Sequence, residues 1–314
     1  MQKIIIAGPG NSGSGAVFDF LKTREDIFLP FYNQEFRLVN DPEGITDLES
    51  SLYYNFSING SSNSLDVFNK FFLKSAGRKK NRYPAKFKFL HKEFLNNIIY
   101  TEYNGLPQYS KFKLDLINYC RFYFERIVLR KKLSDINIYK LILPVDHDLF
   151  INHCVNFIDE LIRSSNTFFP DKIALIDQAI NIYQPEQNLK FFSNSKCIIT
   201  LRDPIGTYYS IYQNPSFGYS GLNIYKFIKW YRFIYEKINH TKFNPSNFLI
   251  IKFHHFLYDH NNTKEKIFKF LKVKGKNNFF DIDNSIKNNS DIESKLNKKD
   301  LHLIRSQLNQ FIQE

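Results

Sequence analysis

Residues Gly8 to Gly15, reading GPGNSGSG, concentrate the features that can do chemistry in this sequence. Gly8, Gly10, Gly13 and Gly15 allow positive φ and close backbone approach to a ligand, and Ser12 and Ser14 add hydroxyls. If a helix begins just beyond, its unpaired N–H groups point into the same concavity, which suits an anion and most often a phosphate. The nucleoside triphosphate version of such a loop, G-x-x-x-x-G-K-[ST], places lysine on the phosphates and a hydroxyl on magnesium. Here Ser14 stands at the lysine position and Gly15 at the hydroxyl position, so the loop is poorly equipped for ATP or GTP hydrolysis. A glycine turn that joins strand to helix without a ligand is the structural alternative.

A second concentration lies in CIITLRDP and the residues just after it. Arg202 ends an apolar run, with a guanidinium that matches a phosphate fork, and Ser210 comes eight positions later. Arg202 could equally serve as a strand-end salt bridge. Glu35 sits in a polar break after a short apolar run, where a carboxylate can act as a general base; the alternative is a surface glutamate paired with Arg37. Asp177-Gln178 closes another apolar run and could contact an acceptor. His91, His147 and His153 read as structural histidines, and His254, His255 and His260 lack the carboxylate or cysteine needed for a clear metal set. No metal site is expected.

These residues need strands and helices to bring them together. Ile4 to Ala7 reads as a strand, and Val17, Phe20 and Leu21 recur at helical spacing behind the glycine loop. Short strands are predicted within Asp26 to Phe31, at Lys172 to Ile176, at Lys196 to Leu201 and at Asn247 to Phe253. Helices are predicted at Pro185 to Phe192, Asn223 to Ile238 and Thr263 to Leu271. Asp203 is placed as an N-cap and Pro204 as the first helical residue. This alternation predicts an α/β fold with a parallel β-sheet flanked by helices, its ligands at the carboxyl ends of the strands.

Between about 48 and 166 no strand period is evident. Helical stretches are predicted near Leu65 to Ser75, Lys86 to Tyr100, Leu114 to Lys132 and Asp148 to Ser164, a helical insertion covering the mouth of the core within a single domain, 1–314. The tail, Lys276 to Asn297, reads as mobile loops by composition, before a final helix from about Lys299 to Gln313.

At 43% hydrophobic and 17% aromatic residues, the chain of 314 residues has the apolar mass for a real core. Lys and Arg outnumber Asp and Glu by 43 to 31, a surplus that suits an anionic partner such as a nucleotide, an acidic glycan or a membrane surface touched peripherally. Nucleic acid is not expected, because the aromatic residues follow core periodicity instead of alternating with basic residues on one face. The clusters Arg78 to Arg82 and Arg130 to Lys132 read as solvated surface. Cys120, Cys154 and Cys197 are odd in number and widely spaced, which predicts buried thiols in a reducing compartment. With no apolar run near the ~18–20 residues of a membrane span and no leader pattern, the expectation is a cytoplasmic protein.

Three segments taken in order resemble the sulfotransferases that use 3′-phosphoadenosine 5′-phosphosulfate. GPGNSGSGAVFDFL is similar to that family's 5′-phosphosulfate loop. LRDPIGTYYSIY keeps the family spacing of R-D-P with a serine eight positions after the arginine, and FLIIKFHHFLYDHNNTKEKIFKFL is similar to its C-terminal strand, polar turn and helix. The segment Glu35 to Gly44 resembles the one after the second strand in bacterial members, and a glutamate there is the catalytic base of the glycan-modifying branch.

The resemblance implies a P-loop-like fold and sulfonyl transfer to a hydroxyl of a carbohydrate or glycolipid. Gly10, Asn11, Ser12, Gly13, Ser14 and Gly15 would hold the 5′-phosphosulfate of the co-substrate, Arg202 and Ser210 its 3′-phosphate, and Glu35 would be the base. Asn11 departs from the pattern: it stands where the family has a basic residue at the leaving oxygen, and an amide can donate a hydrogen bond there but carries no charge. Another cation, for example from the basic middle segment, is needed to restore it. A P-loop small-molecule kinase and a non-catalytic nucleotide- or glycan-binding protein on the same scaffold are the alternatives.

Overall fold

The computed structural model describes residues 1–78, 83–105, 116–132, 135–136, 140–215, 218–274 and 280–312, with no side-chain description at 76–78. In chain order the elements begin β1 (Lys3–Ala7), α1 (Ser14–Lys22), β2 (Ile27–Phe28), α2 (Ile45–Glu49), α3 (Ile58–Arg78), α4 (Phe87–Asn97) and β3 (Ile99–Asn104). They continue with α5 (Leu116–Tyr123), β4 (Lys140–Pro144), α6 (His147–Arg163), β5 (Ile173–Asp177), α7 (Pro185–Leu189), β6 (Ser195–Leu201), α8 (Pro204–Gln213) and α9 (Ile224–His240). Beyond these lie β7 (Phe248–Lys252), α10 (Phe253–Tyr258), α11 (His260–Leu271), α12 (Ile282–Asn289), α13 (Ile292–Lys295), α14 (Lys298–Gln307) and α15 (Asn309–Ile312). The chain divides into two compact units, one formed by Met1–Arg37 with Asn166–Glu314 and the other by Leu38–Ser165.

The first unit carries a parallel sheet in the order β2-β5-β1-β6-β7. Strand β1 is buried at all five positions, as expected of a β-branched strand with neighbours on both edges and helices on both faces. Because the chain goes from β1 to one side (β2, β5) and later to the other (β6, β7), β1 is where the winding direction changes. A crevice outside the carboxyl end of the central strand results from that order, and the glycine loop leaves β1 there.

Ile4 and Ile6 of β1, Leu175 of β5 and Ile198 of β6 pack with Val17, Phe20 and Leu21 of α1 and with Phe256, Ile267 and Leu271 of α10 and α11. A second cluster joins Tyr208 of α8 to Phe227, Tyr231 and Tyr235 of α9 and to Ile304, Leu308 and Phe311 near the C-terminus.

Of the tail predicted as loops, 276–279 lie outside the described residues, and the rest holds the helices α12 and α13. Asp281 caps α12 by accepting from Asn284 N at 2.8 Å, and Phe280, Ile282 and Ile286 pack onto the first cluster. The apolar residues that recruit this segment are few among many Asn, Lys and Ser, so composition concealed them. The final helix is broken into α14 and α15 around Leu308, which is fully buried.

In the second unit the middle of the chain is not wholly helical. Strands β3 and β4 pair antiparallel, from Ile99 against Pro144 to Asn104 against Lys140. Their partners lie some 40 residues apart in sequence and β3 is mostly exposed, so neither a hairpin turn nor an alternating pattern announced them. Ser62 Oγ in α3 accepts from Ile142 N at 3.0 Å, tying β4 to that helix. The core of this unit is aromatic: Phe72 stacks on His91 at 4.2 Å and Phe94 on Phe157 at 4.6 Å. Burial pushes His91 down to about 4, and its Nε2 meets Asn69 Oδ1 at 2.9 Å, so it is a neutral structural histidine.

Cys154 and Cys197 are buried, but Cys120 is exposed, because α5 carries no buried side chain. Arg130 and Lys132 are exposed, and the basic stretch at 78–82 falls outside the described side chains. No helix among the described residues is long and apolar enough to cross a membrane.

Candidate functional site

The glycine loop is shaped by two left-handed residues that flank Ser12, Asn11 at φ +62° and Gly13 at φ +86°. Asparagine tolerates this region better than other non-glycine residues, which gives Asn11 a backbone reason to be where it is. Gly13 has a second reason: a Cβ there would lie 2.3 Å from the Phe253 ring. Gly13→Ala is therefore expected to cost roughly 1–2 kcal/mol for the backbone and a further ~1–3 kcal/mol for overpacking against Phe253, read from chemical denaturation.

Ser12 is 1% exposed and its Oγ has no hydrogen-bond partner. A buried hydroxyl left unsatisfied at the start of a helix suits an incoming acceptor oxygen. Gly15, by contrast, faces open space. Helix α1 starts at Ser14 with no side-chain cap; Ala16 N donates to Gly13 O at 3.1 Å, which leaves the Ser14 and Gly15 N–H groups for a ligand.

The loop is held from three directions. Ser210 Oγ of α8 donates to Asn11 Oδ1 at 3.1 Å, and Gln178 Nε2 donates to Ser14 Oγ at 3.0 Å. Tyr219, packed edge-on against Trp230 with ring centroids at 5.3 Å, receives the backbone N–H of Gly10 on its hydroxyl. Its oxygen would lie 1.8 Å from a Cβ at Gly10, so only glycine permits the contact. Tyr219 sits in a Gly/Ser turn between helices and carries no period, which is why sequence reasoning did not single it out.

Glu35 comes beside the loop through backbone pairing. It forms a parallel bridge with Asp177 at the end of β5, and Phe36 N donates to Asp177 O at 2.8 Å. Asp177 in turn is in register with Ile6 of β1, two residues before Gly8. Glu35 Oε2 accepts from Arg37 Nε at 2.7 Å, and both side chains are exposed by more than two-fifths.

Asp177 differs from Glu35 in being largely withdrawn from water. Burial first, then the nearby Glu35 charge, push its carboxyl from 3.8 up to about 7, partly offset by Arg37, and its Oδ1 is without a partner. Asp19 of α1 adds to the push. Because the folded carboxyl holds its proton over a range where the unfolded one has lost it, folding stability should fall as pH rises from about 4 to about 7. Asp177→Asn is expected to flatten that slope in denaturant titrations across the same range.

Arg202 occupies a neighbouring cavity of about 930 Å³. Strand β6 delivers it, and the Tyr231 and Tyr235 hydroxyls of α9 fix its carbonyl at 2.7 and 2.6 Å. Asp203 Oδ1 accepts from Gly206 N at 2.7 Å and so caps α8, as its position before Pro204 predicts. The side chain of Arg202 is 9% exposed and its Nη2 donates to Asn289 Oδ1 at 2.6 Å, with the guanidinium carbon 5.1 Å above the Phe253 ring.

Among the described residues no carboxylate pairs with Arg202. Asp203 is engaged as a cap, and Glu293, which also lines the cavity, bonds Arg305 at 2.6 Å. Burial depresses the affinity of the guanidinium for its proton. A Cβ at Gly206 would lie 2.5 Å from Arg202 Nε, so Gly206→Ala is expected to displace the guanidinium and weaken anion binding, by calorimetry, with helix propensity itself improved.

The structure thus brings Asn11, Ser14 and Ser210 into one cluster around the loop. Arg202 and Ser210 do not face one another: Ser210 is turned to the loop and Arg202 to the adjoining cavity. Phe253 stands between, with one side on Gly13 and its face under Arg202. Of the other histidines, His147 Nε2 meets Glu49 Oε1 at 2.7 Å and His260 Nδ1 meets Phe256 O at 3.0 Å. Among the described residues no group of three or more His, Cys, Asp or Glu could hold a metal ion.

No protein-family model matches this chain, and no curated protein matches it. Among solved structures it is similar to a sulfotransferase domain from the curacin biosynthetic pathway, at 13% identity and TM-score 0.41 over 98% of this chain and 97% of that one. It is similar also to the sulfotransferase domain of the Synechococcus PCC 7002 olefin synthase, at 12% identity and TM-score 0.39 over 88% and 74%. A sulfotransferase from Alicyclobacillus acidocaldarius gives 12% and TM-score 0.34 over 100% and 96%. Likeness of this degree carries no weight for chemistry, which has to come from the site itself.

Proposed function

We propose that this chain is a sulfotransferase that moves a sulfonyl group from 3′-phosphoadenosine 5′-phosphosulfate to a hydroxyl, on a carbohydrate or glycolipid acceptor by family resemblance. The observation that carries the reading is Arg202. A guanidinium 9% exposed, over an aromatic face and with no acid paired to it, is an incomplete ion pair at the edge of a cavity. Buried charges are ordinarily paired, so an anionic ligand is the missing partner. A second anion site lies across Phe253, at the α1 start with its unsatisfied Ser12 hydroxyl. A nucleotide bearing charge at both its 5′ and 3′ ends answers to two anion sites separated by an aromatic ring; AMP answers to only one.

The residues present fit such a donor. Ser12, Ser14 and the Ser14 and Gly15 N–H groups at the start of α1 would hold its phosphosulfate, and Arg202 its 3′-phosphate. Ser210 bonds Asn11 and would reach the nucleotide from the loop side. In-line transfer forms a bond from the acceptor oxygen to sulfur and breaks the bond from sulfur to the 5′-phosphate oxygen. The bonding electrons stay on that oxygen, and the acceptor proton goes to Glu35. Glu35 is exposed and at the carboxyl end of the sheet, where an acceptor can approach it.

The test is a calorimetric titration with 3′-phosphoadenosine 5′-phosphate and, separately, AMP. The bisphosphate is expected to bind at least about tenfold more tightly, one charge-assisted contact being worth roughly 1.5–3 kcal/mol. Equal affinities would end the assignment.

A further inference from the structure

The glycine loop offers no side-chain cation of its own. At the position where a basic residue would face the leaving oxygen stands Asn11, and its Oδ1 is already accepting from Ser210. A transferring sulfonyl group nevertheless leaves new negative charge on the 5′-phosphate, so an enzyme of this kind needs a counter-charge nearby. Lys3 of β1 is turned away: its Nζ donates to Ser193 O at 2.7 Å at the opposite end of the strand.

A cation at the carboxyl end of the same sheet comes from outside the loop. Arg37 lies two residues beyond Glu35 and its Nε is bound to Glu35 Oε2 at 2.7 Å. Glu35 is bridged to Asp177, and Asp177 pairs with Ile6 at the last turn of chain before the loop. On the loop's other flank, Tyr219 holds the Gly10 N–H. Arg37 is close enough for its charge to act on both flanks, steadying the ionised forms of Asp177 and Tyr219. The guanidinium is thus bound to a carboxylate at the carboxyl end of the sheet, one strand over from the β1 end where the loop begins.

We propose that Arg37 supplies the positive charge that the loop lacks at Asn11, and that Glu35 and Arg37 act as one catalytic unit. This rests on the sulfotransferase reading. Before transfer the guanidinium is engaged by the Glu35 carboxylate. As the acceptor oxygen bonds to sulfur, its proton passes to Glu35 and neutralises that carboxylate. In the same step the sulfur–oxygen bond to the 5′-phosphate breaks, and its electron pair becomes a full negative charge on the departing phosphate. The guanidinium loses one anionic partner as another forms beside it. Charge is conserved throughout, and no metal ion is called on.

The experiment uses the full chain and measures two quantities: calorimetric binding of 3′-phosphoadenosine 5′-phosphate, and its release from the phosphosulfate donor with water as the acceptor, monitored by chromatography. Arg37→Gln is expected to slow release by about 10²–10³ and, because the bisphosphate carries the phosphate that Arg37 faces, to weaken its binding by a smaller factor. Moving the charge then separates catalysis from simple positioning of Glu35. Arg37→Gln with Asn11→Lys should release at least about tenfold faster than Arg37→Gln with Asn11→Gln, the two sharing the same left-handed backbone at position 11.

Tight bisphosphate binding with unchanged release in Arg37→Gln would overturn the role of Arg37 and leave the sulfotransferase reading intact. So would equal release from the lysine and glutamine double variants. Failure of the parent protein to bind the bisphosphate would remove both.

Discussion

Arg202→Met is expected to weaken binding of 3′-phosphoadenosine 5′-phosphate by a factor of about 30 to several thousand, the equivalent of roughly 2–5 kcal/mol for a truncated partner in a buried charge pair. The same change should leave the ligand-free protein as stable as its parent or more so. In the free protein the guanidinium is 9% exposed, bonded to a neutral amide and set over an aromatic face, and burial works against its charge more than the neighbouring Asp203 carboxylate supports it. Methionine of similar length fills the space beside Phe253 without a charge to desolvate. A structural arginine would behave in the opposite way, with stability lost and little change in affinity. Calorimetry and urea denaturation on the same two proteins distinguish these outcomes.

The second large effect belongs to Glu35. Glu35→Gln should lower the rate of sulfonyl transfer by about 10²–10⁴, the range of a lost general base, with bisphosphate affinity within about twofold. Glutamine retains a carbonyl oxygen that can still accept from Arg37 Nε, so the local geometry should survive while the proton acceptor does not. Single-turnover release of the bisphosphate product measures the rate. A rate within a few-fold of the parent's would transfer the base to another group, and Asp177, bridged to Glu35 and pushed up to about 7, would be the next to substitute.

The α/β character, the parallel sheet and the cap of α8 were readable in the chain itself, each for a local reason. Strand β1 is buried throughout and has three successive isoleucines at its centre, as suits a parallel strand sandwiched between helices. Asp203-Pro204 pairs an oxygen acceptor with a residue whose missing N–H costs nothing in the first helical turn, and the structure has both.

Other features were hidden because they are satisfied by residues far away in sequence. Strands β3 and β4 need each other across some 40 residues, and α12 is held by Ile282 and Ile286 meeting the core around Phe256. A polar stretch with two well-placed isoleucines looks like a loop until its partner surface is known.

For the site the division is sharper. Residue types and spacing along the chain were enough to mark the glycine loop, Arg202, Ser210 and Glu35 as carriers of chemistry, because backbone freedom, a guanidinium and a carboxylate are intrinsic properties. Only the tertiary structure decided what each faces. It turned Ser210 onto Asn11, set Phe253 between Gly13 and Arg202, left Arg202 without an ion-paired acid, bound Arg37 to Glu35, and brought Tyr219 to the loop from a segment with no signal of its own. Chemical identity is written residue by residue, whereas proximity depends on how the sheet orders its strands, and that order is the outcome of packing over the whole chain.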